Sequence, residues 1–345
     1  MKVSVAVITY NQENTIRQTL DSILGQQGCF DLEVIVGEDH GTDSTRAICE
    51  EYGLTYPPTT HSHTHPSKDN GSRERVLLPD EPNMGILRNF VRVMKACTGD
   101  YIAICAGDDY WCDDNKLQKQ VTFLENHHDY GFVTIGGYTY YVRQNKFVAN
   151  LNPRADLSNG DAKNFYFSSD YSGGVIMLPL TEMFRAELLQ YLDFDEFIKR
   201  DFPVEDYPMQ AIFSQHTKFG HIDDCSCVYR MYQGSAHFVP VTHPHYLSYF
   251  HGLANIRRYL NELFPNDVCF PEEWCQELEF HKEFLLYLHR MQYKKAKRLI
   301  AKYETSISDR VHFVKDKKMA KSFLLFALFS IYKEIRYALA LIQGT

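Results

Sequence analysis

Residues 3–26 read VSVAVITYNQENTIRQTLDSILGQ. Val3 to Ile8 is a near-continuous run of β-formers, the pattern of a strand covered on both faces. Polar Thr9, Tyr10 and Asn11 end it. Ile16, Leu20, Ile23 and Leu24 then recur at helical spacing, with Asn14 as the expected N-cap. Leu32 to Val36 repeats the strand pattern, and Asp43 or Ser44 can cap a short helix running through Tyr52. Strand, helix, strand, helix predicts a parallel sheet with right-handed crossovers.

Further along, residues 57–82 hold five prolines and little apolar content, and read as a long surface loop. A helix is expected from Ile86 to Lys95, a strand from Tyr101 to Ile104, and another helix around Leu117, Val121 and Leu124. Gly131 to Ile135 and Thr139 to Val142 look like two further strands. The stretch 150–240 is irregular and rich in Gly, Asp, Phe and Tyr. From about 243 the pattern turns helical, with one stripe through Tyr246, Tyr249, Phe250, Leu253, Ile256 and Leu260. A second runs through Leu278, Phe284, Leu285 and Leu288. The expected class is therefore α/β, with a mostly parallel central sheet flanked by helices over residues 1–240 and a helical C-terminal extension over 241–345.

The 345 residues carry a net charge of −8, unevenly spread. Between Arg290 and Arg336, 13 Lys and Arg face 4 Asp and Glu, so that segment is +9 and the remainder −17. An acidic body argues against nucleic-acid binding over the main surface. Nine cysteines, an odd number without a CxxC, fit a reduced chain on the cytoplasmic side better than a disulfide framework. The N-terminus has no small-residue cleavage site and reads as a first strand, not a signal peptide.

In open parallel sheets, ligands bind beyond the carboxyl ends of the strands. Polar clusters sit there: Thr9-Tyr10-Asn11, Glu38-Asp39-His40-Gly41-Thr42-Asp43 and Gly107-Asp108-Asp109-Tyr110-Trp111. Adjacent acids repel one another, and Mg²⁺ or Mn²⁺ with phosphate oxygens removes that cost. Taken alone, Asp108-Asp109 equally suits a turn that caps the next helix.

Five stretches occur together and in order: 3–26, EVIVGEDHGTDST at 33–45, PNMGILRN at 82–89, GDYIAICAGDDYW at 99–111 and VEDYPMQ at 204–210. Jointly they resemble the inverting family-two glycosyltransferases of the GT-A fold, over about residues 1–240. The resemblance implies a Rossmann-like nucleotide-binding half at 1–115 and an acceptor-binding half at 116–240. It implies that Thr9 and Tyr10 flank the base, with Asn11 and Glu38 also in the nucleotide site, that Asp39 binds uracil or ribose, and that Asn83 and Arg88 lie near the nucleotide or donor sugar. Asp108 and Asp109 match the aspartate-x-aspartate region, with Asp109 the metal ligand and Asp108 near ribose or metal. Asp206 becomes the base that takes the acceptor proton, with Glu205 its neighbour or an acceptor ligand. Without the resemblance that pair reads as two solvated acids starting a helix. Two positions depart from the pattern. Ala106 stands where an acid is common, and Glu38 replaces a common Asp. Downstream, YRMYQGSAHF at 229–238 resembles the flexible segment that closes over donor phosphates, placing Arg230 and His237 there, His237 as a further metal ligand. Ser172-Gly173-Gly174 resembles the acceptor-side loop and is equally ordinary turn sequence.

The resemblance implies a nucleotide-sugar donor, a UDP-sugar in the first instance, and a saccharide or lipid-linked acceptor in bacterial surface polysaccharide synthesis. A nucleotidyltransferase is the first rival, and it would carry a Gly-rich, basic phosphate loop after strand one, where Thr9 to Glu13 has none. A catalytically dead nucleotide-sugar-binding module is the second, kept open by Ala106. His61, His63 and His65 read as a solvated loop rather than a metal site. The tail MAKSFLLFALFSIYKEIRYALALIQG, 319–344, has an apolar run from Phe323 to Tyr332 too short to span a bilayer. Lysines flank it, so it fits an interfacial helix at the inner face of the membrane as well as a helix packed on the protein.

Overall fold

The computed structural model describes residues 1–56, 72–149, 157–167, 177–232, 239–267, 271–323 and 325–333. Its strands are β1 (Lys2–Thr9), β2 (Asp31–Glu38), β3 (Arg73–Leu77), β4 (Tyr101–Ile104), β5 (Tyr110–Trp111), β6 (Tyr130–Tyr141), β7 (Lys146–Ala149), β8 (Glu182–Arg185) and β9 (Lys218–Met231). They form one sheet in the order β3-β2-β1-β4-β8-β6-β9-β5, with β7 paired to β6. The half β3-β2-β1-β4 is parallel throughout. In the other half β8 runs antiparallel to both β4 and β6, while β6 and β9 are parallel.

The helices of this unit are α1 (Ile16–Leu24), α2 (Thr45–Glu51), α3 (Ile86–Ala96), α4 (Lys116–Asn126), α5 (Lys163–Tyr166), α6 (Phe194–Lys199) and α7 (Asp206–Ser214). Helix α1 shows why this sequence chooses this fold. Ile16, Leu20 and Ile23 lie on one stripe and are fully buried in the core that contains Val3, Val5 and Val7. Each such side chain contributes about 1.5–3 kcal/mol on burial. Its N-cap is Thr15 rather than Asn14. At α2 the N-cap is Ser44, one of the two expected, and Asp43 just before it accepts the Thr45 N–H at 2.9 Å.

The amino ends of the strands are sealed. Glu33, buried on β2, pairs with Lys2 at 2.6 Å and accepts the Thr98 N–H at 2.9 Å and a hydrogen bond from the Ser4 hydroxyl. Burial drives its carboxyl up, but Lys2, Ser4 and Thr98 together outweigh that and hold it below its ordinary range. The polar, open ends of β1, β2 and β4 are their carboxyl ends.

Three expectations need correction. The stretch 57–82 is not all loop, because β3 occupies 73–77 as the parallel neighbour of β2. Its charged Arg73, Glu74 and Arg75 hid it, since an edge strand can keep one side wet. The two strands expected at 131–135 and 139–142 are one twelve-residue strand, β6. Gly136 and Gly137 sit at its register shifts against β9, and the glycines that looked like an interruption are a bulge. The stretch 150–240 contains β8, α6, α7 and the fourteen-residue β9.

The described chain divides into two compact units. The α/β unit comprises Met1–Tyr166, Asp170–Lys199 and Val204–Met231. The second contains the C-terminal helices α8 (Tyr246–Leu263), α9 (Glu272–His289), α10 (Tyr293–Tyr303) and α11 (Val311–Met319). Its core gathers Phe280, Phe284, Leu288, Leu299, Phe313 and Phe326. Among the described residues no helix is long and apolar enough to cross a membrane.

Candidate active site

Strand β1 ends in a backbone junction. The Asp39 N–H donates to the Thr9 carbonyl and the Gly107 N–H to the Ile8 carbonyl, both at 3.0 Å. These two bonds bring the loops after β2 and β4 against the end of β1. Asn11 turns the chain with φ 52°, and its side-chain oxygen accepts the Thr42 N–H at 2.7 Å. Asn tolerates that left-handed conformation better than most residues. Gly107 has no room for a side chain, because a Cβ would stand 2.5 Å from Thr9 Oγ1 and 2.4 Å from Gln12 Oε1. Thr9 is buried while Tyr10 is half exposed, so the ring of Tyr10 is available to a flat ligand.

Asp39 is buried and already employed. Its two carboxylate oxygens accept the N–H groups of Met84 and Gly85, each at 2.9 Å, and its carbonyl accepts from Asn83 Nδ2 at 2.8 Å. Asp39 therefore shapes the 83–85 turn that opens α3, with Gly85 at φ 83°. A carboxylate offers about four acceptor positions, which leaves capacity toward a ligand. Glu38, also buried, accepts the Gly41 N–H at 2.6 Å. Arg88 is exposed in the first turn of α3.

The acid pair after β4 is clamped from a distant strand. Arg230, near the end of β9 and buried, donates its N–H to Asp109 Oδ1 at 2.8 Å. Its guanidinium bonds the Asp108 carbonyl and the Gln18 side chain and stacks over Tyr110 at 4.6 Å. Asp109 is only 4% exposed. Burial first, then the neighbouring Asp108, push its carboxyl well above the ordinary range, with the Arg230 N–H pulling the other way. Such a site gains from an added positive charge. Among the described residues no cluster of three or more His, Cys, Asp or Glu could hold a metal. Mg²⁺ and Mn²⁺ need no such cluster when one or two carboxylates combine with substrate phosphates, and Asp108-Asp109 suits that mode.

Glu205 and Asp206 open α7, Asp206 as its first residue and Glu205 as its N-cap. They are not two solvated acids, for Asp206 is 5% exposed. Burial and the adjacent Asp206 raise the Glu205 carboxyl to about 8. The shift favours the protonated form of Glu205 at neutral pH.

Sequence reasoning missed a third acid. Glu182 on β8 is fully buried, and Gln210 donates its amide both to it and to the Met177 carbonyl, the latter at 2.9 Å. Gln210 lies one helical turn after Asp206 on the same face of α7, so Glu182 sits beneath the acid pair. Burial and then Asp206 push it well up. Fully buried Lys116 approaches the Glu182 carbonyl at 3.5 Å and lies over the Trp111 ring at 4.1 Å. Its burial lowers its ammonium to about 8. Nothing in the irregular sequence around Glu182 marks it. The structure thus brings Thr9, Tyr10, Asn11, Glu38, Asp39, Asn83, Asp108, Asp109 and Arg230 to the carboxyl ends of the strands. Arg230 was expected in a flexible segment and lies instead in β9. His237, the Ser172-Gly173-Gly174 loop and the three histidines at 61, 63 and 65 fall outside the described residues.

A family model described as Glycosyl transferase family 2 matches residues 4–178. The match includes the first three clusters and leaves Glu205, Asp206 and Arg230 beyond it. An uncharacterized protein of Mycobacterium tuberculosis is 39% identical over 125 residues, 36% of this chain and 32% of that one. The putative glycosyltransferase EpsE of Bacillus subtilis is 33% identical over 135 residues, 39% of this chain and 42% of the other. These matches span only about a third to two fifths of the relatives' length. Among solved structures, S. aureus TarS in complex with UDP-GlcNAc superposes with a TM-score of 0.53 at 16% identity, covering 97% of this chain and 92% of that one. At that identity the likeness concerns the fold.

Proposed function

The chain belongs to glycosyl transferase family 2, and from that premise we propose that it transfers a sugar with inversion from a UDP-sugar to an acceptor hydroxyl of a surface polysaccharide or glycolipid. The observation that carries this reading is the Arg230 clamp on Asp108-Asp109. It puts a guanidinium, an acid pair of which Asp109 is buried, and the carboxyl ends of β1 and β2 at one place, which is what a nucleoside diphosphate requires. Neighbours in fold that bind UDP and UDP-GlcNAc support the choice of nucleotide.

In this reading Tyr10 and Asn11 flank the base, and Asp39, through the capacity its two loop bonds leave, takes the uracil or ribose. Asn83 and Arg88 border the donor sugar, and Arg230 faces the diphosphate. Asp109, with Asp108, would hold Mn²⁺ or Mg²⁺, which supplies charge stabilisation for the leaving diphosphate. Asp206 removes the proton of the acceptor hydroxyl as that oxygen attacks the anomeric carbon from the face opposite the diphosphate. Protonated Glu205 beside it is a hydrogen-bond donor for the acceptor or for Asp206. The half at 1–115 supplies the other donor contacts, and the half at 116–240 supplies the acceptor side together with Arg230.

Calorimetric titration with UDP tests the reading. Wild type should bind UDP more tightly with Mn²⁺ than without. Asp109→Ala should abolish the enhancement, and Asp39→Ala should weaken binding even without metal. Undiminished enhancement in Asp109→Ala would place the metal elsewhere.

A further inference from the structure

The C-terminal helix carries a surface that includes none of the site residues described above. Residues 325–333 are helical. At about 100° per residue, Phe326, Phe329 and Ser330 share one side. That side is docked: Phe326 is fully buried against Phe284 and Tyr293, and Ser330 Oγ donates to the Leu288 carbonyl at 2.6 Å. The opposite arc carries Leu325, Leu328, Ile331 and Tyr332, exposed by 46%, 55%, 54% and 50%. Phe323, before them, is 59% exposed. A surface helix ordinarily turns polar residues outward; this one is apolar on both sides, and contiguous exposed apolar faces mark interaction sites.

Charge identifies the occupant. Exposed Lys315, Lys318, Lys321 and Lys333 border the stretch. Tyr293, packed on Phe323 and Phe326, brings the start of α10 beside it, with exposed Lys294, Lys295, Lys297 and Arg298. An apolar face flanked by exposed lysines fits the boundary between headgroups and acyl chains of an anionic bilayer. A cationic or strongly apolar partner would not select this rim. We propose that the second unit binds the surface of anionic membranes through the Leu325, Leu328 and Ile331 face, lying on the bilayer without crossing it. This stands independently of the chemistry assigned to Asp206.

Sedimentation of the full chain with vesicles tests it, using phosphatidylcholine alone and an equal mixture with phosphatidylglycerol. Wild type should sediment with the mixed vesicles, less so at high salt, and little with phosphatidylcholine. Leu328→Ser/Ile331→Ser, both outward-facing, should lose binding by at least about tenfold with unchanged melting temperature. Lys294→Glu/Lys321→Glu should weaken it by about fivefold or more per lysine. Absence of wild-type sedimentation with mixed vesicles would overturn the proposal, as would full binding by the serine variant. So would a wild-type dimer that the serine variant dissolves with no vesicle binding, since the face would then belong to a second copy of the chain.

Discussion

At the residue scale the site is organised by side chains that do two jobs. Asp39 shapes the 83–85 turn with both carboxylate oxygens, and Arg230 ties β9 to the acid pair while presenting its charge. Arg230→Lys should therefore fail as a conservative change. A lysine keeps the charge but cannot bond Asp108 and Gln18 together or stack on Tyr110. Losing charge-assisted bonds of about 1.5–3 kcal/mol, the variant should bind UDP at least about tenfold more weakly by calorimetry. Equal affinity would show that the guanidinium is only structural. Glu205 offers a second check. With its carboxyl raised to about 8, its protonated form is favoured at pH 7. Glu205→Gln should leave transfer near wild type at pH 7 and remove any change in rate centred near pH 8. A large loss at pH 7 would instead make Glu205 the base.

At the element scale, contacts between helix and sheet are tight enough to be tested with one methyl group. A Cβ on Gly37, in β2, would stand 2.4 Å from Val93 Cγ2 and 2.6 Å from Asn89 Oδ1 on α3. Gly37→Ala should push α3 from the sheet, cost about 1–3 kcal/mol in denaturant unfolding and disturb the 83–85 turn. An unchanged midpoint would mean that α3 yields freely. The elements that carry their own period were legible in the sequence: β1, β2, α1 and the helical stripe of α8 stand where hydrophobic spacing put them. Strand β3 was not, because its first three residues are charged. Nor was the unity of β6, because a bulge at Gly136 and Gly137 looks like a break. The site divides the same way. Residues adjacent in sequence at strand ends could be gathered by inspection. Glu182 could not, since it comes beneath Glu205-Asp206 only through the pairing of β8 with β4 and β6, and Lys116 reaches the Glu182 carbonyl from α4. Gln18 was equally hidden, on the helix stripe facing away from Ile16 and Leu20.

At the scale of the whole molecule, the buried acids leave a signature in stability. Glu182 and Glu205 bind their protons more tightly folded than unfolded. Their contribution is fully present below the unfolded value of 4.5 and is lost as pH rises through the folded value, about 8 for Glu205. Glu182→Gln removes one of these protonation costs. Its stability relative to wild type, from urea unfolding, should be more favourable at pH 8 than at pH 5. A difference independent of pH would mean that Glu182 is ionised in both states. The central claim is that this α/β unit performs sugar transfer with Asp206 as base, and one comparison tests it most directly. UDP release from a panel of UDP-sugars, with Mn²⁺ and a polysaccharide-rich membrane fraction as acceptor, is measured for wild type and Asp206→Asn. The account predicts release by wild type and a loss of about 10²–10⁴-fold in the variant, with UDP binding nearly unchanged. Release by Asp206→Asn at the wild-type rate, or none by wild type from any donor in the panel, would contradict it.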